Sequence, residues 1–331
     1  MAIRKMFGLF LALPLFCLAI QAGAGERKVL SVGYDNNPGH PVDLACQYWK
    51  KLVEERSGGS LSLELYPSTQ LGKALDVVEQ CLAGDATSVL TNTGYYANLG
   101  VEGWDVTAAP FLFNSWDAFK ILTQSAWWAE NERRLEEIGI KIISNNWEYG
   151  VRHLLCKRPI RRASDLDGVK IRVPADNSVE AWKSLGCSPT PMSLADAYMA
   201  MQQGTIDAIE NPLTVLSDGS FNEVAKYLTL TAHKHDMTQF ICGTAFFNSL
   251  TGEQRDILLQ TGRAAAEYFN QLAAEIEASM LDKLKAGGVT VITLTDAEKG
   301  EFQKKSSDYF DRPGSIWPRE MREAVLKIIA K

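Results

Sequence analysis

The 331-residue sequence lacks the short patterns that mark the common enzyme classes: there is no G-x-S-x-G, no G-x-x-x-x-G-K-[ST] and no H-E-x-x-H. Histidine is scarce, at four residues. His40 and His153 have no evident nucleophile to serve, and no pair of carboxylates stands out for acid–base work. These absences argue against catalysis. The 34 basic residues form no long cluster and the formal charge is -6, which argues against a nucleic-acid surface. Cysteine is also sparse. Apart from Cys17 near the start, the chain has Cys46, Cys81, Cys156, Cys187 and Cys242. Their spacing fits no zinc site, and an odd count leaves at least one thiol free. Cys156–Cys187 and Cys46–Cys81 are candidate disulfides; small buried thiols are the other reading.

The longest apolar run lies at the start. Arg4 and Lys5 precede 15 apolar residues, Met6 to Ile20, and Ala22-Gly23-Ala24 follows. The run is shorter than the roughly 20 residues of a spanning helix. It reads as a secretory leader over 1–24, cleaved near Ala24, with the mature protein in the periplasm. Cys17 lies inside the apolar run without the small neighbours of a lipidation site. Loss of Arg4 and Lys5 takes the formal charge from -6 to -8.

Beyond the leader, composition is ordinary for a globular chain, 46% hydrophobic and 22% charged, with room for two packed lobes. Alternating apolar residues predict strands over 28–34, 61–65 and 87–91, with helices between them from Pro41 and through Leu82. Strands alternating with helices predict an α/β lobe. A helix is expected over 115–135, strands over 140–145, 227–231 and 241–247, and a hinge loop over 232–239. His233 and His235 alternate in that loop as metal ligands would, but no carboxylate or cysteine set surrounds them. Thr251 and Gln254 form a capping box that opens a helix running to Gly287-Gly288, about 50 Å long. A strand near 289–292 and two helices close the chain, Thr295 and Glu298 capping the first of them.

The most informative stretch is 168–212. Val169, Ile171 and Val173 alternate with Lys170 and Arg172 as a strand that Pro174 ends. A helix follows to Leu185, Gly186 breaks it, and Pro189 and Pro191 hold the next segment extended. Ser193 and Asp196 predict a helix through Gln203, Gly204 ends it, and residues 206–209 return as a strand with Asn211 at its tip. Arg172 and Asn211 can therefore share a crevice at the carboxyl ends of two strands, where open α/β sheets bind ligands. On strand pattern alone, Arg172 reads more readily as a surface ion-pair partner.

This stretch closely resembles the signature of the TRAP-type periplasmic solute-binding proteins, the DctP family. The pieces are Lys170-Ile171-Arg172-Val173-Pro174, then Leu185-Gly186 with Pro189-Thr190-Pro191-Met192, then Tyr198 to Gly204, Asp207 and Glu210-Asn211-Pro212. The resemblance runs from about Val29 to about Val291. It includes Gln70-Leu71-Gly72, Pro110-Phe111-Leu112-Phe113, and Gly150 and Arg152 ahead of Pro159-Ile160. It implies a two-lobe α/β periplasmic binding protein fold, type II-like, with the long helix bracing both lobes. Lobe 1 would span 25–149 with 237–276 returning to it, and lobe 2 would span 150–236 with 277–331.

The resemblance also implies roles. Arg172 would grip a ligand carboxylate with its planar fork, Asn211 would support the same group, and Arg152 would be a second contact. First-lobe contacts would come from Asp35-Asn36 and from Thr91-Asn92, although asparagine at a strand tip is also ordinary turn chemistry. Trp147, Glu148 and Tyr149 form a local variable stretch that would either shape the pocket or pack at the hinge. Met192 and Leu194 belong to the same wall, and Leu194 stands where some relatives that bind larger sugar acids have phenylalanine. The expected ligand is a small organic acid, with a lean to a sugar acid such as a hexuronate; C4-dicarboxylates, 2-oxo acids and aromatic acids are the alternatives. The expected partners are the small and large membrane subunits of a TRAP permease, or a signalling receptor if the chain is a sensor. A monomer without an ATP site or other cofactor is expected.

Overall fold

The structure is a computed structural model, described here for residues 27–97, 99–174 and 177–330. The leader predicted over 1–24 lies outside the described residues. Among the described residues, nine strands form one mixed sheet: β1 (Lys28–Gly33), β2 (Leu61–Tyr66), β3 (Thr87–Thr91), β4 (Ile140–Cys156), β5 (Lys170–Val173), β6 (Ser188–Pro191), β7 (Ala208–Pro212), β8 (Tyr227–Gly243) and β9 (Thr290–Thr293). Their order is β2-β1-β3-β8-β4-β7-β5-β6, with β9 on β8. The parallel strands lie on either side of the antiparallel pair β4 and β8, each 17 residues long.

That long pair builds two lobes on one sheet. The first half of β4 pairs with the end of β8 beside β3, and its second half pairs with the start of β8 beside β7. The crossing is irregular, with register shifts between Ile142 and Ser144, Ser144 and Trp147, Glu148 and Gly150, and Arg152 and Leu154. Bulges bend and twist a strand. At Gly150, φ is 138°, and a Cβ there would lie 2.6 Å from Pro212 Cβ. Only glycine suits both the angle and the gap.

The helix Gly252–Ala286 ties the halves together. Its capping box is formed: Gln254 N–H donates to Thr251 Oγ1 (3.2 Å) and Thr251 N–H to Gln254 Oε1 (3.0 Å). Its first half, through Leu258, Ala265, Ala266 and Phe269, packs in a core with Leu30, Trp49 and Phe240. Its second half, through Met280 and Leu284, packs in another with Leu216, Phe221 and Leu228. One rigid rod thus contributes to a core on each side of the crossing. Each apolar side chain buried there is worth about 1.5–3 kcal/mol.

Several expectations need correction. The hinge loop over 232–239 is strand: β8 runs unbroken through it, paired with β4 on one side. Residues 244–249 are the helix Thr244–Ser249 rather than a strand end. The helix over 115–135 is two helices, Trp116–Thr123 and Ala126–Glu137, because Ser125 Oγ accepts from Trp128 N–H and starts a second one. The strand at Ile140 is also longer than expected, since β4 continues through the segment read as variable. All five described cysteines are free and buried, so neither candidate disulfide is present.

Candidate ligand site

Arg172 and Asn211 stand on neighbouring parallel strands, in register through Ile171 with Ala208 and Arg172 with Ile209. Pro174 follows the end of β5, and β6, held extended by its prolines, lies along it. This brings the backbone of Met192 against both: Met192 N–H donates to Val173 O (3.1 Å), and Arg172 Nε donates to Met192 O (2.9 Å). One edge of the guanidinium is thereby fixed and the fork is aimed. Arg172 is 3% exposed. Among the described residues it has no carboxylate within ion-pair distance and no other hydrogen bond. Burial pushes its pKa below the ordinary arginine value, the mark of a charge awaiting a partner. Asn211 is equally buried, and its Nδ2 has no hydrogen-bond partner among the described residues. An unmatched buried donor is costly. Two of them lining one cavity define an anion-binding corner.

Arg152 lines the same cavity in a different state. It clasps Glu210 through Nε and NH2 (2.7 Å for the latter to Oε1), also donates from NH2 to Glu210 O (3.0 Å), and reaches Asp236 Oδ2 from NH1 (2.5 Å). Burial opposes its charge, but Glu210 and Asp236 outweigh that and raise its pKa. Burial alone would raise Glu210, yet Arg152 and His233 hold it down to about 2. His233 is itself pushed down by burial. Neutral at pH 7, it donates from Nε2 to Glu210 Oε2 (3.1 Å) while Nδ1 faces Thr231 Oγ1 (2.8 Å). Lys234 Nζ lies 2.9 Å from Asp236 Oδ1. Arg152 is thus already matched by protein carboxylates. His233 and His235, read from sequence as a hinge pair or a metal pair, lie on β8; among the described residues no metal-binding cluster occurs.

The opposite wall comes from the loops after β1 and β3. Asn36 is buried, and its Nδ2 donates to Tyr149 Oη (3.0 Å). Asp35 faces the cavity with no hydrogen-bond partner among the described residues; burial pushes its carboxyl up and Arg172 pulls it back down. Thr91 Oγ1 is engaged with Tyr96 Oη (2.9 Å). Asn92 Oδ1 accepts from Gly94 N–H (2.9 Å), the turn chemistry its position suggested, while the residue still lines the cavity. Tyr95, missed in the sequence, lines it too; burial raises its phenol to about 12, so it stays a donor. Tyr149 and Leu194 line the cavity as well, and Met192 lines the adjoining space.

Trp147 and Glu148 are not brought to this cavity. Trp147 is fully buried against Phe240 and Phe269, its Nε1 donating to Ser144 Oγ (2.8 Å). Glu148 pairs with Lys120 (3.4 Å) in a separate surface groove of about 920 Å³. The bulges of β4 turn Tyr149 to the cavity instead. The space around Arg172 and Asn211 is about 60 Å³. It adjoins one of about 180 Å³ lined by Leu75, Pro191 and Met192, and one of about 210 Å³ lined by Asn37, His40, Ser68 and Thr69. Across the mouth, Lys73 Nζ meets Asp196 Oδ2 (2.9 Å) and Asn37 Nδ2 donates to Asp218 O (3.4 Å).

A cleft between two lobes of one sheet, with unmatched anion donors at strand ends, defines a solute-binding protein. The model of DctP, bacterial extracellular solute-binding protein family 7, matches residues 32–313, and the chain belongs to that family. It is a periplasmic solute-binding protein of the TRAP type, a role that implies a membrane permease as partner. The 2,3-diketo-L-gulonate-binding periplasmic protein of Escherichia coli is 30% identical over 281 residues, covering 84% of this chain and 85% of that one. A TRAP periplasmic solute-binding protein of Actinobacillus succinogenes, solved with bound L-galactonate, is 35% identical with a TM-score of 0.86, covering 92% of this chain and 99% of that one. Another from Ochrobacterium anthropi, solved with bound L-fuconate, is 32% identical with a TM-score of 0.84 and the same coverage.

Proposed function

We propose that this chain captures a small hydroxylated monocarboxylate, a sugar acid such as a hexuronate, between its lobes and presents it to the small and large subunits of a TRAP permease. The observation that carries this is the buried, unmatched guanidinium of Arg172 beside the unpartnered Asn211 amide. Arg172 binds the carboxylate with two parallel charge-assisted hydrogen bonds and Asn211 donates to the same group. Asp35, Asn36, Thr91 and Asn92 form the first-lobe wall, Met192 and Leu194 the second-lobe wall, and Arg152 supports them from below. The sugar acids bound by the relatives above favour the same class. The ligand leaves unchanged; the protein is a carrier, not an enzyme, and works as a monomer after its leader is removed near Ala24.

Closure is a hinge motion selected by ligand. Lobe 1 comprises residues up to 149 with 237–276, and lobe 2 comprises 150–236 with the rest of the chain. The register shifts of β4 and the two cores along the long helix support this division. A thermal-shift screen of the mature protein against hexuronates, aldonates, dicarboxylates, 2-oxo acids and aromatic acids tests the reading. A ligand at 100 times its Kd adds about 2.7 kcal/mol of stability. The expected result is a shift with sugar acids that disappears in Arg172→Ala; a shift that survives the substitution contradicts the carboxylate grip.

A further inference from the structure

We propose that Asp35 is the specificity-determining residue of the cleft, an acceptor that selects a hydroxylated monocarboxylate and turns away a second carboxylate. This rests on the carboxylate grip by Arg172 and deepens it. Among the described residues, Asp35 alone lines all three connected spaces of the cleft. A ligand anchored on Arg172 meets Asp35 whether it extends from the innermost space into one outer space or the other. The carboxylate of Asp35 has no hydrogen-bond partner among the described residues, so its lone pairs face whatever occupies the cleft.

The charge count around it gives the selectivity its sign. Glu210 and Asp236 already match Arg152, and Lys234 pairs with Asp236. Arg172 is the cation in the cleft left without a carboxylate within ion-pair distance among the described residues; with Asp35 acting on it from further off, it serves one ligand carboxylate and leaves no cation for a second. A hydroxyl beside that carboxylate can donate to Asp35 in a charge-assisted bond. A second carboxylate there would face Asp35 as a like charge in a space with little water. The outer space of about 210 Å³ is lined by Asn37, His40, Ser68 and Thr69, side chains suited to further hydroxyls. The other carries Leu75, Pro191 and Met192 and suits an apolar end. Asp35 therefore stands where a hydroxylated acid and a dicarboxylate of similar length differ.

The test is calorimetric titration of the mature protein and of Asp35→Asn, Asp35→Ala and Arg172→Ala with L-galactonate, L-fuconate, galacturonate, succinate and hexanoate. Asparagine keeps the shape and removes the charge, so a folding defect is not expected from it. Wild type should bind at least one of the three hydroxylated acids and bind succinate at least 10-fold more weakly. Asp35→Asn should weaken the hydroxylated acid by about 10- to 100-fold while leaving succinate unchanged or tighter, and should leave hexanoate unaffected. A merely structural role would weaken all acids alike, and that outcome overturns the proposal. So does Arg172-dependent binding of a hydroxylated acid that Asp35→Asn leaves intact, or wild-type binding of succinate as tight as that of the hydroxylated acids. Binding of none of these probes by wild type overturns the carboxylate reading and this inference with it.

Discussion

Arg152 and Glu210 face each other across β4 and β7, fork against carboxylate, both less than 5% exposed. Asp236 takes the remaining edge of the guanidinium and His233 the remaining side of the carboxylate. This buried set joins both long strands to the strand that carries Asn211. Truncating one partner leaves a buried charge short of its match. Glu210→Gln should destabilise the protein by about 3–5 kcal/mol, measured by urea denaturation, and a loss below about 1 kcal/mol would show the pair to be dispensable.

Acid should act on stability in two windows. His40, the N-cap acceptor for Val42 N–H (3.1 Å), is pushed by burial from 6.5 down to about 4. Between those values the unfolded chain binds a proton that the folded chain refuses, so stability falls as pH drops from about 6.5 to 4. Glu210 is depressed, so its contribution is full above about 4.5 and is lost as pH falls towards 2. His40→Asn, which keeps a capping side chain, should lessen the fall across the upper window, to which His153 and His233, also held down by burial, contribute, and should leave the lower window unchanged. Denaturation midpoints measured from pH 7 to pH 3 check this; an unchanged slope above pH 4.5 would show that His40 does not set the upper window.

Gly150 should tolerate no side chain. Its φ of 138°, and the 2.6 Å that would separate an added Cβ from Pro212 Cβ, put Gly150→Ala at a cost of at least about 1–3 kcal/mol. Since the position lies where β4 changes register, ligand affinity should fall as well. Denaturation and titration of the same variant report both, and a neutral result in each would mean that the crossing yields easily.

The thiols should be silent. Burial raises Cys81 to about 11 and Cys187 to about 12, and the other three are raised too. A thiol reagent should titrate five groups in the denatured mature protein and almost none in the native one, and a reducing agent should leave the melting temperature unchanged. Fewer than five in denaturant without reductant would indicate a disulfide.

Much of this was legible where local chemistry decides. The alternation before Pro174, the extended prolines and the boxed threonines place Arg172 and the long helix correctly, because each signal acts within a few residues. Arg152 was legible as a cavity residue but not as a neutralised one. Its partners lie 58 and 84 positions away, and nothing local announces them. Trp147, Glu148 and Tyr149 were read together as pocket or hinge residues, and the structure separates them: Tyr149 lines the cavity, Trp147 packs in the core and Glu148 lines a different groove. The stretch 232–239 was read as a hinge loop, yet it is strand, and His233, Lys234 and Asp236 within it are partners of the Arg152 set. Tyr95 gave no signal, since an aromatic in a short helix reads as core.

The most direct measurement is calorimetric titration of one hydroxylated acid, such as L-galactonate, into wild type, Arg172→Lys and Arg172→Ala. Losing the buried grip should cost about 2–5 kcal/mol in Arg172→Ala, on the order of 30- to 4000-fold in Kd. Arg172→Lys, with charge but no fork, should fall between the two. Equal affinity in all three proteins would contradict the central claim that Arg172 is the charge awaiting the ligand.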